Sequence, residues 1–527
     1  MIDNKNKDDN KKAVKTVSMI IFFTAFSKIL GLFRDMLMAH FYGGSAENAA
    51  FAIASRIPRD FFDIFFGASL IGIFIPVYNS FKFHEEKERS EFANIFLNVV
   101  ILAIGLLALL GMMFSRQIIN FITPGYDETT AELAANLLRI LFPMIVFIGA
   151  VYTFNGILQS KGEFLTPALV SAVSNLGVII YFWFLNGYFD IYGLGWAYLI
   201  SWIIQLLTLA VPLIRKKYKY KFIINLKNPA FIKSLKMALP IMAGSWLIPV
   251  GMLIGQHFLS FSDESDFYIS AFDYSTKIFL LVTGIITYGI LNYIFPQLAQ
   301  KANDTDTNEF IKIVKTGLSA LFFIIMPVAC LVYVLRGEAV AVLFNHGKFA
   351  ETEGLGISTA QMFAVLAPSM IMFSIIEILN RVFYAKKLVR FPMIASLAGI
   401  AVNFILSWIF ISRLNLTPVC IVWSVLICQG ITAGILIIAL KIDIKEIFNK
   451  KFLANIAKIV LSSGILLIII KILYYIIKND AFESNIITNI LVAALIIAVG
   501  VCFYIGANLI LKTEETKVFL KMLKKER

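Results

Sequence analysis

The chain has 527 residues, 59% of them apolar and 15% charged, with a mean hydropathy of +0.81 and a formal net charge of +13. So few charges could not keep so much apolar surface in water, which excludes a soluble enzyme or regulator. Nor does the positive charge point to nucleic acid, because the basic residues lie in short segments between apolar runs and not in a basic domain.

A lysine-bearing stretch (Lys5 to Lys15) leads into an apolar segment with no small-residue cleavage site, so it is expected to be a retained first span with a tail, 1–15, before it. Apolar runs long enough for about 30 Å of hydrocarbon follow near 16–40, 49–81, 92–115, 131–158, 166–186, 192–214, 232–260, 267–299, 310–335, 358–385, 391–412, 416–440, 452–477 and 486–511. These are spans 1 to 14 of an all-α polytopic membrane protein. With the first tail cytoplasmic, the inside segments carry Lys82, Lys87, Arg89, Lys161, the dense run Arg215 to Lys227, Lys386, Lys387, Arg390, Lys441 to Lys451 and a basic tail, 512–527. The outside segments carry only Arg116, Arg336, Lys348, Arg413 and Lys478, so both ends are expected in the cytoplasm.

Shifting the chain by 225 residues lays Pro143 on Pro368, Asn155 on Asn380, Lys161 on Lys386 and Pro167 on Pro392, and a shift of 220 lays Gly31 on Gly251 and Pro76 on Pro296. Shared offsets at a scarce residue type indicate an internal repeat. The expected layout is two six-span lobes, 16–227 and 228–440, in parallel pseudo-repeat, followed by spans 13 and 14 within 441–511.

An ionisable side chain at membrane depth costs a few kcal/mol, so each must have a partner, an interface or a function. Arg59 with Asp63, Asp273 with Lys277, and Glu377 with Arg381 are each spaced to pair on one helix face. Span 1 carries Lys28 near its middle, then Arg34 and Asp35, and Asp35 balances only one of the two cations. Arg56 on span 2 has no acidic residue three or four positions away and does not lose its proton, so it needs water or an anion. Lys28, Arg34, Arg56 and Lys277 are therefore expected to line a cationic cavity suited to a diphosphate, with Asp35, Asp273, Asn155 and Asn380 in support. Gly31, Pro58, Pro76, Gly251 and Pro296 are candidate bending points. The four cysteines and four histidines have no metal-ligand spacing, and no catalytic constellation is present; neither a metal nor a cofactor is expected.

Certain stretches resemble a known family. Ser27-Lys28-Ile29-Leu30-Gly31-Leu32-Phe33-Arg34-Asp35, Arg56-Ile57-Pro58, Phe74-Ile75-Pro76-Val77-Tyr78 and Thr123-Pro124-Gly125-Tyr126-Asp127 are similar to signatures of the MurJ (MviN) lipid II flippases of the MATE-like exporter superfamily. So are Gly156 to Gly162, Leu343-Phe344-Asn345-His346-Gly347-Lys348-Phe349 and Arg381 to Lys386. The resemblance implies a transporter without covalent chemistry in the bacterial inner membrane. It would carry lipid II, the undecaprenyl-pyrophosphate-linked disaccharide-pentapeptide, to the outer leaflet by alternating access, with spans 13 and 14 forming a groove for the prenyl tail. It also implies cell-wall synthesis proteins as candidate partners and a cavity role for Lys28, Arg34, Arg56 and Lys277, the first and last being arginine in many members. A flippase for O-antigen or capsule oligosaccharides is the alternative. The chain departs from the pattern at Ala49, Phe62, Asp63 and Gly67, and no acidic residue lies between Leu239 and Ser260 or between Phe391 and Ser412, so the coupling ion is left open.

Overall fold

In hydrocarbon every backbone N–H and C=O must be satisfied within its own segment, and that requirement accounts for the architecture. The computed structural model describes residues 2–69, 74–81, 86–302, 307–443, 445–477 and 480–516, and every regular element among them is helical. Lys82, Lys478 and the basic tail from 517 onward lie outside the described residues. Among the described residues, eleven helices are long and apolar enough to cross a membrane. The remaining three expected spans fall on helices that carry charge or are broken.

The chain divides into two compact units, 1–38 with 46–253, and 39–45 with 254–527. The first unit begins with α1 (Ile2–Tyr42), whose last residues count with the second. Span 2 is interrupted: α2 (Ala46–Ser55) passes into a π-helical turn, Arg56–Phe61, then α3 (Phe62–Ser69), with α4 (Ile75–Asn79) beyond. Pro58 sits buried in the π turn, as expected where a proline removes a donor from the helical ladder. Then come α5 (Glu86–Met113), α6 (Ser115–Ile122), α7 (Glu128–Leu141), α8 (Met144–Ser160), α9 (Leu165–Phe184) and α10 (Asn186–Arg215). Span 7 is α11 (Pro229–Ser245) and α12 (Leu247–Leu259), broken at Trp246; α11 packs on α3 and α5.

The second unit contains α13 (Ser265–Lys301), α14 (Thr307–Val334), α15 (Arg336–Phe344), α16 (Lys348–Glu351), α17 (Leu355–Ala385), α18 (Arg390–Ser407), α19 (Ile421–Asp443), α20 (Lys450–Ile477) and α21 (Ile486–Leu511). At its centre α17 packs on α13, α14 and α19. The two last helices lean on α14 and α15, with Leu466, Ile470, Ile496 and Tyr504 buried against Val334 and Leu335. Their other faces expose Ile468, Ile472, Leu491 and Ile510.

The repeat reappears as geometry within each unit. α8 ends at Ser160 and α17 at Ala385, and the chain then turns through Gly162 (φ +76°) and Lys387 (φ +60°) respectively. The closing hydrogen bonds match one for one: Glu163 N donates to Leu158 O at 2.9 Å, and Leu388 N to Phe383 O at 2.8 Å. This six-to-one closure satisfies carbonyls that the helix leaves open. Pro167 and Pro392 each then stand third in the next helix, α9 or α18. The copies differ at Pro143, which divides α7 from α8, whereas Pro368 sits inside an unbroken α17.

Candidate functional site

In the first unit, α1 and α9 approach closely because Gly31 has no side chain; a Cβ there would lie 3.3 Å from Asn175 Nδ2. That amide donates to the Ser27 carbonyl at 3.0 Å and leaves Oδ1 to accept from Arg34 Nη1 at 2.9 Å. Arg34 also donates through Nη2 and Nε to Asp35 Oδ1, at 2.9 and 3.2 Å. Asp35 is thus the partner of Arg34, one position away. The fork arrangement needs a planar, multi-donor cation.

Arg34 lines a cavity of about 370 Å³ walled by residues of α1, the π turn, α3, α8, α9 and α10. Its guanidinium lies 5.6 Å from the centre of the Tyr198 ring, and that of Arg59 lies 5.7 Å from the same ring. Cation–π attraction to one tyrosine therefore gathers two arginines at one wall. Opposite charge comes from Asp63, also on the lining, whose Oδ1 accepts from the Tyr152 hydroxyl at 2.7 Å. Asn155 is 8% exposed and lines the same space, and its Oδ1 has no hydrogen-bond partner among the described residues. Trp202 and Gln205 complete the wall with one aromatic face and one amide. The chamber therefore offers cationic donors, acceptors and aromatic surface together.

The other expected site residues lie apart from this cavity's lining. Lys28 is half-buried on α1, one turn before Gly31. Arg56 opens the π turn at 2% exposure, and its Nη1 lies 2.8 Å from the Met252 thioether sulfur. In the second unit, Lys277 pairs with Asp273 at 2.6 Å and stands 5.1 Å from the Tyr274 ring, the pairing that i, i+4 spacing predicts. Asn380 is 7% exposed, with its Oδ1 likewise unbonded among the described residues. Glu377 accepts from the Tyr288 hydroxyl, while Arg381 lies 5.5 Å from the Phe295 ring. Gly251 is buried in α12, Pro76 is exposed at the start of α4, and Pro296 lies within α13.

Arg59, Tyr198, Asn175 and Gln205 are cavity residues that the sequence does not single out. Spacing makes Arg59 half of a self-neutralising pair with Asp63, and the others are uncharged. A polar residue recurring within an apolar span is the available signal, and Asn175 and Gln205 both give it.

Comparison with known proteins bears on this geometry. The profile of the family described as MurJ, lipid II flippase, matches residues 38–509. A probable lipid II flippase MurJ from Buchnera aphidicola (subsp. Schizaphis graminum) is 29% identical over 389 residues, covering 72% of this chain and 74% of the relative. A lipid II flippase MurJ from Burkholderia cenocepacia is 24% identical over 411 residues, covering 76% and 78%. Among solved structures, a lipid II flippase MurJ in an inward closed conformation superposes with a TM-score of 0.77 at 26% identity, over 93% of this chain and 98% of that one. An inward-facing multidrug MATE transporter of the MOP superfamily, at 14% identity and a TM-score of 0.62, shares the fold over 80% of this chain and 95% of that one. The profile covers most of the chain, including the π turn and the cavity helices α8 to α10; the chain belongs to the MurJ lipid II flippase family.

Proposed function

We propose that this chain translocates lipid II from the cytoplasmic to the outer leaflet of the bacterial inner membrane by alternating access, without covalent chemistry. The observation that carries the reading is the chamber in which Arg34 and Arg59 flank Tyr198 while Asn155 Oδ1 stands unbonded. Guanidinium groups donate to phosphate oxygens, and Asn155, Asp63 and Gln205 accept from hydroxyls of the sugar next to the diphosphate. At about 370 Å³ the chamber is near the small end of ligand pockets, so it takes the diphosphate end of the headgroup and not the whole of it. Lys28 and Arg56 in the same unit, and Lys277 in the second, remain proposed headgroup contacts by their charge, with Asp273 balancing Lys277 as Asp35 balances Arg34.

The prenyl tail stays in lipid, and the exposed apolar faces of α20 and α21 are the proposed surface along which it runs. Both termini lie in the cytoplasm by the distribution of Lys and Arg. The headgroup is anionic and crosses the membrane field, so the membrane potential biases its movement outward. Depletion of the protein followed by measurement of lipid II in each leaflet tests the reading. Accumulation in the inner leaflet is the expected result, and normal lipid II turnover would overturn it.

A further inference from the structure

Between α10 and α11 the chain runs without helix from Lys216 to Asn228. A left-handed Lys217 (φ +56°) turns it off the end of α10, and two buried asparagines on α5 then hold it extended. Asn98 Nδ2 donates to the carbonyls of Lys221 and Ile223 at 3.0 and 3.1 Å. Asn94 Oδ1 accepts from Lys221 N at 3.2 Å and from the Tyr218 hydroxyl at 2.9 Å, while Tyr220 donates to Asn98 Oδ1 at 2.8 Å. Each asparagine is 1% exposed, so the strap is built into the unit and does not merely lie on it.

The strap runs without a turn from Tyr218 to Asn225 and then turns at Leu226 and Lys227, where Asn228 N donates to Asn225 O at 3.2 Å. Extended chain sends alternate side chains to opposite sides, so Tyr220, Phe222 and Ile224 fall on one side and Lys219 and Lys221, with Ile223 and Asn225, on the other. Tyr220, Phe222, Ile224 and Leu226 are 56%, 67%, 50% and 59% exposed, and the intervening Lys219, Lys221 and Lys227 are exposed as well. Its depth is set by the helices around it. Asn98 precedes Leu102, the first exposed large apolar residue of α5, by one turn; α10 enters the strap from exposed Leu207, Val211 and Ile214, and α11 leaves it with exposed Ile232 and Leu235. Three lipid-facing belts thus end at the strap, which places it where hydrocarbon gives way to headgroups.

We propose that residues 217–227 form an anionic-phospholipid site, with Tyr220, Phe222, Ile224 and Leu226 seated among the upper acyl carbons and Lys219, Lys221 and Lys227 on the phosphates. Charge complementarity selects an anionic lipid over a zwitterionic one, since only the former leaves net negative charge for three ammonium groups. An acidic protein would satisfy the lysines but not a row of apolar side chains at the edge of a lipid belt. The site does not depend on which substrate is transported or on which leaflet the strap faces.

The test uses the full chain carrying Phe222→Trp, reconstituted in bilayers of phosphatidylcholine with a minor share of phosphatidylglycerol, with bromine placed high on the acyl chains of one lipid or the other. The signal of the parent protein, with its six native tryptophans, is subtracted. We expect brominated phosphatidylglycerol to quench the introduced indole several-fold beyond its share of the bilayer, and high salt to reduce that excess. In the same background, Lys219→Gln, Lys221→Gln and Lys227→Gln together bring quenching down to the mole fraction, each lysine contributing up to about fivefold (~1 kcal/mol). The triple Arg replacement retains the excess, so misfolding cannot account for its loss. Quenching in proportion to mole fraction with all three lysines in place, or none by either lipid, overturns the proposal.

Discussion

Asn155 and Asn380 occupy the same place in two copies of one helix end, each buried five residues before the end of its helix with a side-chain carbonyl that bonds to nothing among the described residues. A buried unpaired acceptor costs about 1–3 kcal/mol, and a protein that keeps one at both repeat positions keeps it against stability. In the first unit Asn155 is also one of the residues that line the chamber.

Asn155→Leu is accordingly expected to leave thermal stability in detergent unchanged or to raise it by about 1 kcal/mol, since an apolar group replaces an unsatisfied one. Lipid II translocation in proteoliposomes should fall at least about tenfold, which corresponds to about 1.4 kcal/mol of lost interaction. A drop in melting temperature with transport intact would show that Asn155 serves packing alone.

Arg34 makes hydrogen bonds to Asn175 and Asp35 through three nitrogens. Arg34→Lys retains the charge but not the fork, so it should lose transport nearly as fully as Arg34→Gln, by about tenfold or more. Arg59→Lys keeps its cation near Tyr198 and should be milder. If Arg34→Lys transports like the parent, net charge suffices and the planar geometry is irrelevant.

Gly347 stands at φ +58°, and a Cβ there would fall 2.4 Å from His40 Nδ1 and from the His40 carbonyl oxygen. Across the same junction the Tyr274 hydroxyl donates to Gly43 O at 2.9 Å. Gly347→Ala should therefore strain the backbone and push the end of α1 away, at roughly 2–4 kcal/mol. Limited proteolysis near residues 43–45 would report the opening. An unchanged digestion pattern and melting temperature would show that the junction yields cheaply.

Asp127 caps α7, accepting from the N–H groups of Thr129 and Thr130, both at 2.9 Å, and from the Thr129 hydroxyl. These donors, the Thr129 hydroxyl foremost, hold its carboxyl down at about 2. A carboxylate depressed in the folded state stabilises above the unfolded value of about 4, and that stabilisation is lost as pH falls toward 2. Asp127→Asn still caps, so it should cost little at neutral pH and remove the acid-sensitive component. Asp127→Ala should cost at most ~1 kcal/mol, given the exposure of the site. Melting curves from pH 7 down to 2, which span the window between the unfolded value of about 4 and the folded value of about 2, check both; identical pH dependence in parent and Asp127→Asn would sink the assignment.

Length and apolarity by themselves located the spans, because hydrocarbon admits little but helices of about 20 residues and leaves that demand written along the chain. The repeat was legible for a similar reason: a helix that ends in a left-handed turn needs a particular local pattern, and Lys161-Gly162 and Lys386-Lys387 mark the same closure twice. Cation identities were legible too, since charge in a span is rare and costly. Which partner each charge meets was decided only in three dimensions. Asp35 could have served Lys28 or Arg34 by spacing alone, and the structure gives it to Arg34. Arg59 and Asp63 looked self-sufficient until Tyr198 of α10 and Tyr152 of α8 came to meet them. Helical periodicity states which face a residue occupies, but what stands opposite that face comes from distant chain, 89 residues away for Asp63, and only packing brings it there.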